Sequence, residues 1–311
     1  MADAGQENSS SILVIRGGAI GDFILTLPVL SALKKRFPRA RIEVLGYPRI
    51  VNLAREGGLV EAVYAIESPG LAAFFARGGA LSSEWRTFFS RFAVIVSYLY
   101  DPDGIFEGNV KQCTKAQFIA GPHRPDDSGE LHASQVYLEP LERLTIFSAN
   151  TVAKLRLPET SDYPSGKWLA LHPGSGSETK NWPESNWRKW LEHLIGTTEY
   201  NLLLVGGETE GGRLHRLSNE LPEERLEFAD RLPLAELGTR LQACVGFVGH
   251  DSGITHLASA LGLPVLALWG ETCSKVWQPS GAKVCLLKSK NGLDRLGVST
   301  VDGAMAALGL S

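Results

Sequence analysis

The stretch FVGHDSGITHLASALGLPVLALWGE, residues 247–271, restricts the possible folds more than any other part of the chain. The apolar run 244–248 reads as a buried strand, and Asp251, Ser252 and Gly253 then supply N-cap residue types ahead of a helix reaching about residue 261. Gly262 and Pro264 end that helix, and the apolar run 265–269 suits a parallel neighbour strand. A strand–helix–strand unit of this kind sets a helix N-terminus at the carboxyl edge of a sheet. Free backbone N–H groups and the positive end of the helix dipole bind phosphates there. Asp251 and Ser252 serve equally as an ordinary cap and His256 as a packed core histidine, so the stretch alone leaves both readings open.

The same rhythm runs through the rest of the chain. A strand at 11–15 leads into the loop RGGAIGD and the amphipathic run FILTLPVLSALKKRF. Gly17, Gly18 and Gly21 carry no Cβ and let a substrate or a facing domain approach the backbone. A dinucleotide fingerprint would need glycine where Arg16 stands, and no Gly-Lys-Ser/Thr follows as in a phosphate-binding P-loop. Glu43, about 20 residues on, falls in mid-strand rather than at a strand end, which counts further against a dehydrogenase. Asp22, at the mouth of the loop, can reach a bound hydroxyl or cap the helix behind it.

Further strands are expected at 41–47, 60–66, 92–100 and 118–121, with a helix from His132. Residues 71–92 interleave Phe74, Phe75, Trp85, Phe88 and Phe89 with Arg77, Arg86 and Arg91. They read either as amphipathic helices packed on the sheet or as a surface for anionic lipid or an acceptor. Asp101 and Asp103 form a DxD that could hold a metal, but Pro102 and Gly104 make it a turn first. Lys34, Lys35, Arg36, Arg39 and Arg41 suit an anionic acceptor or a solvated helix end.

The polar segment 158–167, PETSDYPSGK, reads as a linker. After it, WLALHPGSGSETKNWPESNWRKWLEHL gives a strand, a small-residue loop and a helix with Trp187, Trp190 and Leu191 as its core stripe. Ser175, Ser177, Thr179 and Lys180 crowd the loop beside His172, where hydroxyls, backbone and a compact positive charge can hold phosphate. NLLLVGGETE repeats strand and glycines, with Glu208 and Glu210 placed to accept from a ribose or simply to start a helix. A short strand at 226–228, a helix from Leu234, and a polar loop with a helix at 299–308 complete the chain.

With 311 residues, 44% of them hydrophobic, the chain can bury two α/β cores. A net charge of −3 argues against a general nucleic-acid binder. Cys113, Cys244, Cys273 and Cys285 lack zinc spacing and suit reduced thiols of a cytoplasmic protein. No apolar run approaches the roughly 20 residues of a membrane span. Residues 1–10 are polar without a signal-peptide core, and a disordered tail is expected there.

Three stretches, GGAIGDFILTLP, HPGSGSETKNWP and GHDSGITHLASALGLPVLALWGET, together resemble glycosyltransferase family 9, the ADP-heptose:lipopolysaccharide heptosyltransferases, in order and spacing. The resemblance runs from Ser11 over nearly the whole chain and implies a GT-B fold, two Rossmann-like domains with parallel sheets facing a central cleft. The expected division is an acceptor domain at 11–157, the linker at 158–167, a donor domain at 168–298 and a last helix at 299–311 that crosses back to the first domain. It implies Asp22 as catalytic base, Lys180 on the donor phosphates, Glu210 near the ribose, and Leu232 with its backbone toward adenine. Asp251, Ser252, Gly253 and His256 match its donor-binding D-[TS]-G-x-x-H. It implies an ADP-sugar donor, a lipid-linked glycan acceptor, peripheral contact with the inner membrane, and no requirement for metal or cofactor. The loop before Lys180 is one residue longer than in characterised members, and residues 71–124 carry no match, so donor chemistry transfers better than acceptor identity. A GT-B-like sugar-nucleotide epimerase and a noncatalytic nucleotide-sugar sensor are the alternatives.

Overall fold

The computed structural model describes residues 10–159, 165–207, 212–289 and 292–310. Two compact units emerge. The first comprises Met1–Ala19, Thr26–Asp126 and Ala133–Thr151; the second takes Ile20–Leu25, Asp127–His132 and Val152–Ser311.

In the first unit, strands β1 (Ser11–Arg16), β2 (Arg41–Gly46), β3 (Ala62–Ala65), β4 (Phe92–Ser97) and β5 (Gln117–Ala120) form a parallel sheet ordered β3-β2-β1-β4-β5. β1 is buried along nearly its whole length, as a parallel strand covered on both faces must be. The run expected as one amphipathic helix is two, Ile20–Ile24 and Leu27–Arg36, because Pro28 cannot continue the first and instead fits the first turn of the second. Within 71–92 the packed reading holds for the large rings: Leu71, Phe74, Trp85 and Phe89 lie in the core with Phe106 and Ile95. Arg91 is committed to Glu43 at 2.7 Å and stacks on Phe88 and Phe92. Asp101 is a helix cap, accepting from the amides of Phe106 and Glu107 at 3.1 and 2.9 Å.

The second unit holds β6 (Trp168–His172), β7 (Asn201–Gly206), β8 (Leu226–Asp230), β9 (Gly246–His250), β10 (Val265–Trp269) and β11 (Val284–Lys288), all parallel, in the order β11-β10-β9-β6-β7-β8. β11 is the strand that the sequence reading omitted. VCLLK is a short half-buried edge strand between polar segments, with a pattern no stronger than that of a loop. Trp182, Trp187, Trp190 and Leu191 fill the core beside β6, as expected of the helix Glu184–Thr197.

The chain joins the second unit before the segment expected as linker. Leu155 N–H donates to the Ala260 carbonyl at 2.8 Å, and Leu157 exchanges bonds with the Gln242 amide at 3.0 Å, so these two residues find their backbone partners there. Residues 160–164 of that segment lie outside the described residues. The last helix, Val298–Ala307, was expected to cross back to the first domain. It packs within the second unit, where Val301 and Met305 enter the core and Asp302 accepts from Trp190 Nε1 at 3.1 Å.

Candidate active site

Strand order locates the site. In the second sheet the order reverses between β6 and β9, which are neighbours although β7 and β8 intervene in sequence. Loops leaving such a pair diverge and open a crevice at the carboxyl edge. The loop after β6 carries Ser175, Ser177 and Lys180; the turn after β9 carries Asp251, Ser252 and Gly253.

Lys180 Nζ donates to Asp251 Oδ2 at 2.6 Å, and the Thr272 hydroxyl donates to the same oxygen at 2.6 Å. Asp251 is nearly buried, whereas the Lys180 side chain is 39% exposed. An ammonium has three donors and Asp251 takes one, so Lys180 is held in place with donors left to face the crevice. Ser252 caps the helix Gly253–Ala260 by accepting from Thr255 N, and its hydroxyl lies 3.3 Å from His172 Nδ1. The cap reading of the motif is met, and it leaves the helix start available to an anion. Ser252 is a genuine cap, and the amides at the start of this helix, which have no intrahelical partner, point at the crevice beside Lys180.

The β6 loop is held rigidly from beneath. Ser175 Oγ donates to the Ser177 carbonyl at 2.7 Å, and Ser177 Oγ lies 2.9 Å from Thr179 Oγ1. Arg213, nearly buried, grips Glu178 at 2.6 and 2.7 Å and reaches the Pro173 carbonyl at 3.4 Å. Hydrogen bonds from Arg213, and then from Asn181, hold the Glu178 carboxyl below the ordinary carboxylate range. His250, fully buried, accepts from Trp182 N at Nε2 (2.8 Å) and lies 3.2 Å from the Gly174 carbonyl at Nδ1, which fixes the proton on Nδ1. Burial pushes its pKa down to about 3, against the pull of the Gly174 bond. The sequence reading missed Arg213, Thr272 and His250. For His250 the only available signal was a histidine inside an otherwise apolar strand.

Asp22 lies in the first turn of Ile20–Ile24, half-buried. That helix belongs to the second unit and packs on Gly253–Ala260. The contact needs two glycines. A Cβ on Gly253 would lie 2.6 Å from Ile20 Cβ and 3.0 Å from the Gly21 amide nitrogen, and one on Gly21 would come 3.4 Å from His256 Cδ2. His256 is buried beneath Asp22. Desolvation pushes its pKa down to about 4, with the Asp251 and Asp22 charges pulling it up and those of His132 and Lys180 opposing them. It is therefore a neutral imidazole at physiological pH, able to exchange one polar contact in either sense. Gly253→Ala should force the Asp22 helix outward, since neither backbone nor Ile20 can yield cheaply. We expect turnover to fall about 10- to 100-fold with a smaller change in nucleotide affinity, because small misplacements at a reacting centre are costly. Turnover equal to wild type would show that the contact does not position Asp22.

Not every expected residue joins this cluster. Gly17 and Gly18 belong to the first unit, at the end of β1, with Gly18 at φ 95°. There Arg16 is buried against Tyr98 and Tyr137 and donates to the His123 carbonyl at 2.7 Å, so it fills the place where a dinucleotide loop has glycine. Leu232, half-buried, follows β8, three strands from β9, or about 14 Å across the sheet at ~4.8 Å per strand. A ligand touching both Leu232 and Asp251 would have to lie along the carboxyl edge over β6 and β7. Glu208 and Glu210 lie outside the described residues.

Two Rossmann-like parallel units, with a phosphate-suited crevice at the switch point of the second, are the parts of a GT-B fold. Residues 145–295 match the sequence profile of glycosyltransferase family 9 (heptosyltransferase). Lipopolysaccharide heptosyltransferase 3 of Escherichia coli is 24% identical over 293 residues, covering 83% of each chain. Lipooligosaccharide heptosyltransferase 2 of Haemophilus influenzae is 25% identical over 326 residues, covering 91% of this chain and 89% of its own. Among solved structures, the E. coli heptosyltransferase WaaC with ADP superposes with a TM-score of 0.77 at 17% identity, covering 96% of this chain and 99% of that one. Residues 145–295 thus carry the family 9 profile, and the chain is similar to heptosyltransferases over most of its length.

Proposed function

We propose that this enzyme transfers a heptose from an ADP-sugar to a hydroxyl of a lipopolysaccharide-core or other lipid-linked glycan, with inversion at C1, at the cytoplasmic face of the inner membrane. The observation that carries the reading is the Lys180–Asp251 pair at the open start of the helix Gly253–Ala260, a cationic donor set at a switch point and suited to a diphosphate. The names of the full-length relatives support heptose as the sugar, and the WaaC complex supports ADP as the nucleotide.

In this reading the Asp22 carboxylate takes the proton from the acceptor hydroxyl as that oxygen bonds to C1. The C1–O bond to the β-phosphate breaks on the opposite face, and its electron pair leaves with ADP. Negative charge grows on the departing diphosphate, where Lys180, the helix amides and the hydroxyls of Ser175 and Ser177 would meet it. Those groups do the work that a divalent cation does in other transferases, so no metal is assigned.

Calorimetric titration with ADP, UDP and GDP, in EDTA throughout, tests the donor half. ADP should bind selectively, and Lys180→Ala should weaken it about 10-fold or more while slowing transfer further, since the ammonium meets phosphate in both ground and transition states. Selective binding of UDP would move the chain toward epimerase-like chemistry. ADP affinity and rate both untouched in Lys180→Ala would remove the lysine from the donor site.

A further inference from the structure

A second candidate surface belongs to the first unit. The helix Leu27–Arg36 leaves the carboxyl end of β1 and returns toward the amino end of β2, so its last turn stands at the amino edge of the first sheet, the opposite edge from Arg16 and the glycines. There it borders a groove of about 340 Å³ whose other wall is the segment 145–150.

The lining combines cations, hydroxyls and apolar groups without a carboxylate. Lys35 and Arg36 stand on one side, and Ile146, Phe147 and Ser148 on the other. Neither Lys35 nor Arg36 forms an ion pair among the described residues; Arg36 lies over the Phe37 ring at 5.1 Å. Phe147 is 64% exposed, one of few large apolar side chains so placed among the described residues. It is held out rather than left loose. Thr145 and Ser148 on either side of it adopt left-handed φ of 56° and 52°, and the turn is tied to the helical segment Glu139–Leu144 by Thr145 N to the Glu142 carbonyl (2.9 Å) and Ile146 N to the Leu141 carbonyl (3.2 Å). Non-glycine residues in that region are costly, and here two of them serve to present one aromatic ring to solvent.

An exposed ring beside two cations that form no ion pair among the described residues, on a protein of net charge −3, fits a surface that offers both apolar depth and fixed negative charge. We propose that this groove docks the enzyme on an anionic bilayer. Phe147 enters the headgroup–acyl boundary, and Lys35 and Arg36 meet lipid phosphates. The aromatic–basic stretch 71–92, the sequence-level candidate for such a surface, has most of its large rings in the core.

The test is cosedimentation of the full chain with phosphatidylcholine vesicles, alone and with about a quarter phosphatidylglycerol, at low and high salt. Wild type should bind only the anionic vesicles and leave them in high salt. Lys35→Glu/Arg36→Glu should lower the partition coefficient about 10-fold or more and Phe147→Ser several-fold. The three side chains are exposed, so both variants should keep wild-type thermal stability and wild-type turnover on a soluble acceptor. Failure of wild type to bind anionic vesicles at low salt, or undiminished binding by both variants, overturns the assignment. So does full competition by soluble glycerol phosphate, which would make the groove a small-anion site.

Discussion

Asp22→Asn is expected to fold, to bind ADP as wild type does, and to lose on the order of 100-fold or more in turnover. The substitution is isosteric, so the helix Ile20–Ile24 and its packing against Gly253–Ala260 remain. What disappears is the acceptor for a proton. Nucleotide affinity should hold because the carboxylate that holds Lys180 among the described residues is Asp251, at 2.6 Å, itself braced by Thr272, and not Asp22. The neighbouring His256 does not take over as base: burial holds its pKa down to about 4 even with the Asp251 and Asp22 charges pulling it up, and the asparagine keeps that burial while deleting one of the two charges. Its imidazole therefore becomes a still weaker base in the variant. A turnover near wild type would exclude Asp22 as base, whereas parallel loss of ADP affinity would make it a donor-positioning group. Single-turnover rates with calorimetry on the same preparation separate the outcomes.

Much of this site was legible in the sequence because its parts obey local rules. The helix start at Ser252 and Gly253 was readable from cap chemistry, and Lys180 and Asp251 both follow apolar strands. Their pairing was not. They are 71 residues apart, and they meet because β9 lies beside β6, a choice made by sheet order rather than by either segment. The same limit explains the domain boundaries. Composition put the break at the Pro-rich 158–167, but the chain changes partners where Leu155 and Leu157 find hydrogen bonds, and long-range pairing of backbone groups leaves no mark on local composition. Asp22 was placed with the first domain for the same reason. Its strand, β1, belongs there, yet the absence of side chains at Gly21 and Gly253 lets its helix pack in the second unit.

His250→Leu is expected to damage both stability and nucleotide binding, and to flatten the acid limb of stability. Leucine fills a similar apolar space against Trp187, whose ring lies 5.6 Å from the imidazole. It leaves the Trp182 N–H and the Gly174 carbonyl without the partners they have at 2.8 and 3.2 Å. Each buried group left unsatisfied costs about 1–3 kcal/mol. The two groups bracket Ser175, Ser177 and Lys180, so releasing them should loosen the candidate donor loop and weaken ADP binding about 10-fold or more near pH 8, where His250 is neutral. The pH dependence follows from the direction of the shift. The native imidazole holds out to about 3 against an ordinary 6.5, so as pH falls below 6.5 the unfolded chain takes up a proton that the native chain refuses. Stability is thus full above about 6.5 and drains away toward 3, by on the order of 3 kcal/mol at about pH 4 for this group. His256, pushed to about 4, steepens the same limb. Denaturation of wild type and variant from pH 8 to about pH 4 should show curves that converge on acidification, because leucine has nothing to protonate. Parallel curves would deny His250 its neutral, buried state, and an unchanged ADP affinity at pH 8 would reduce it to a core residue with no part in shaping the donor loop.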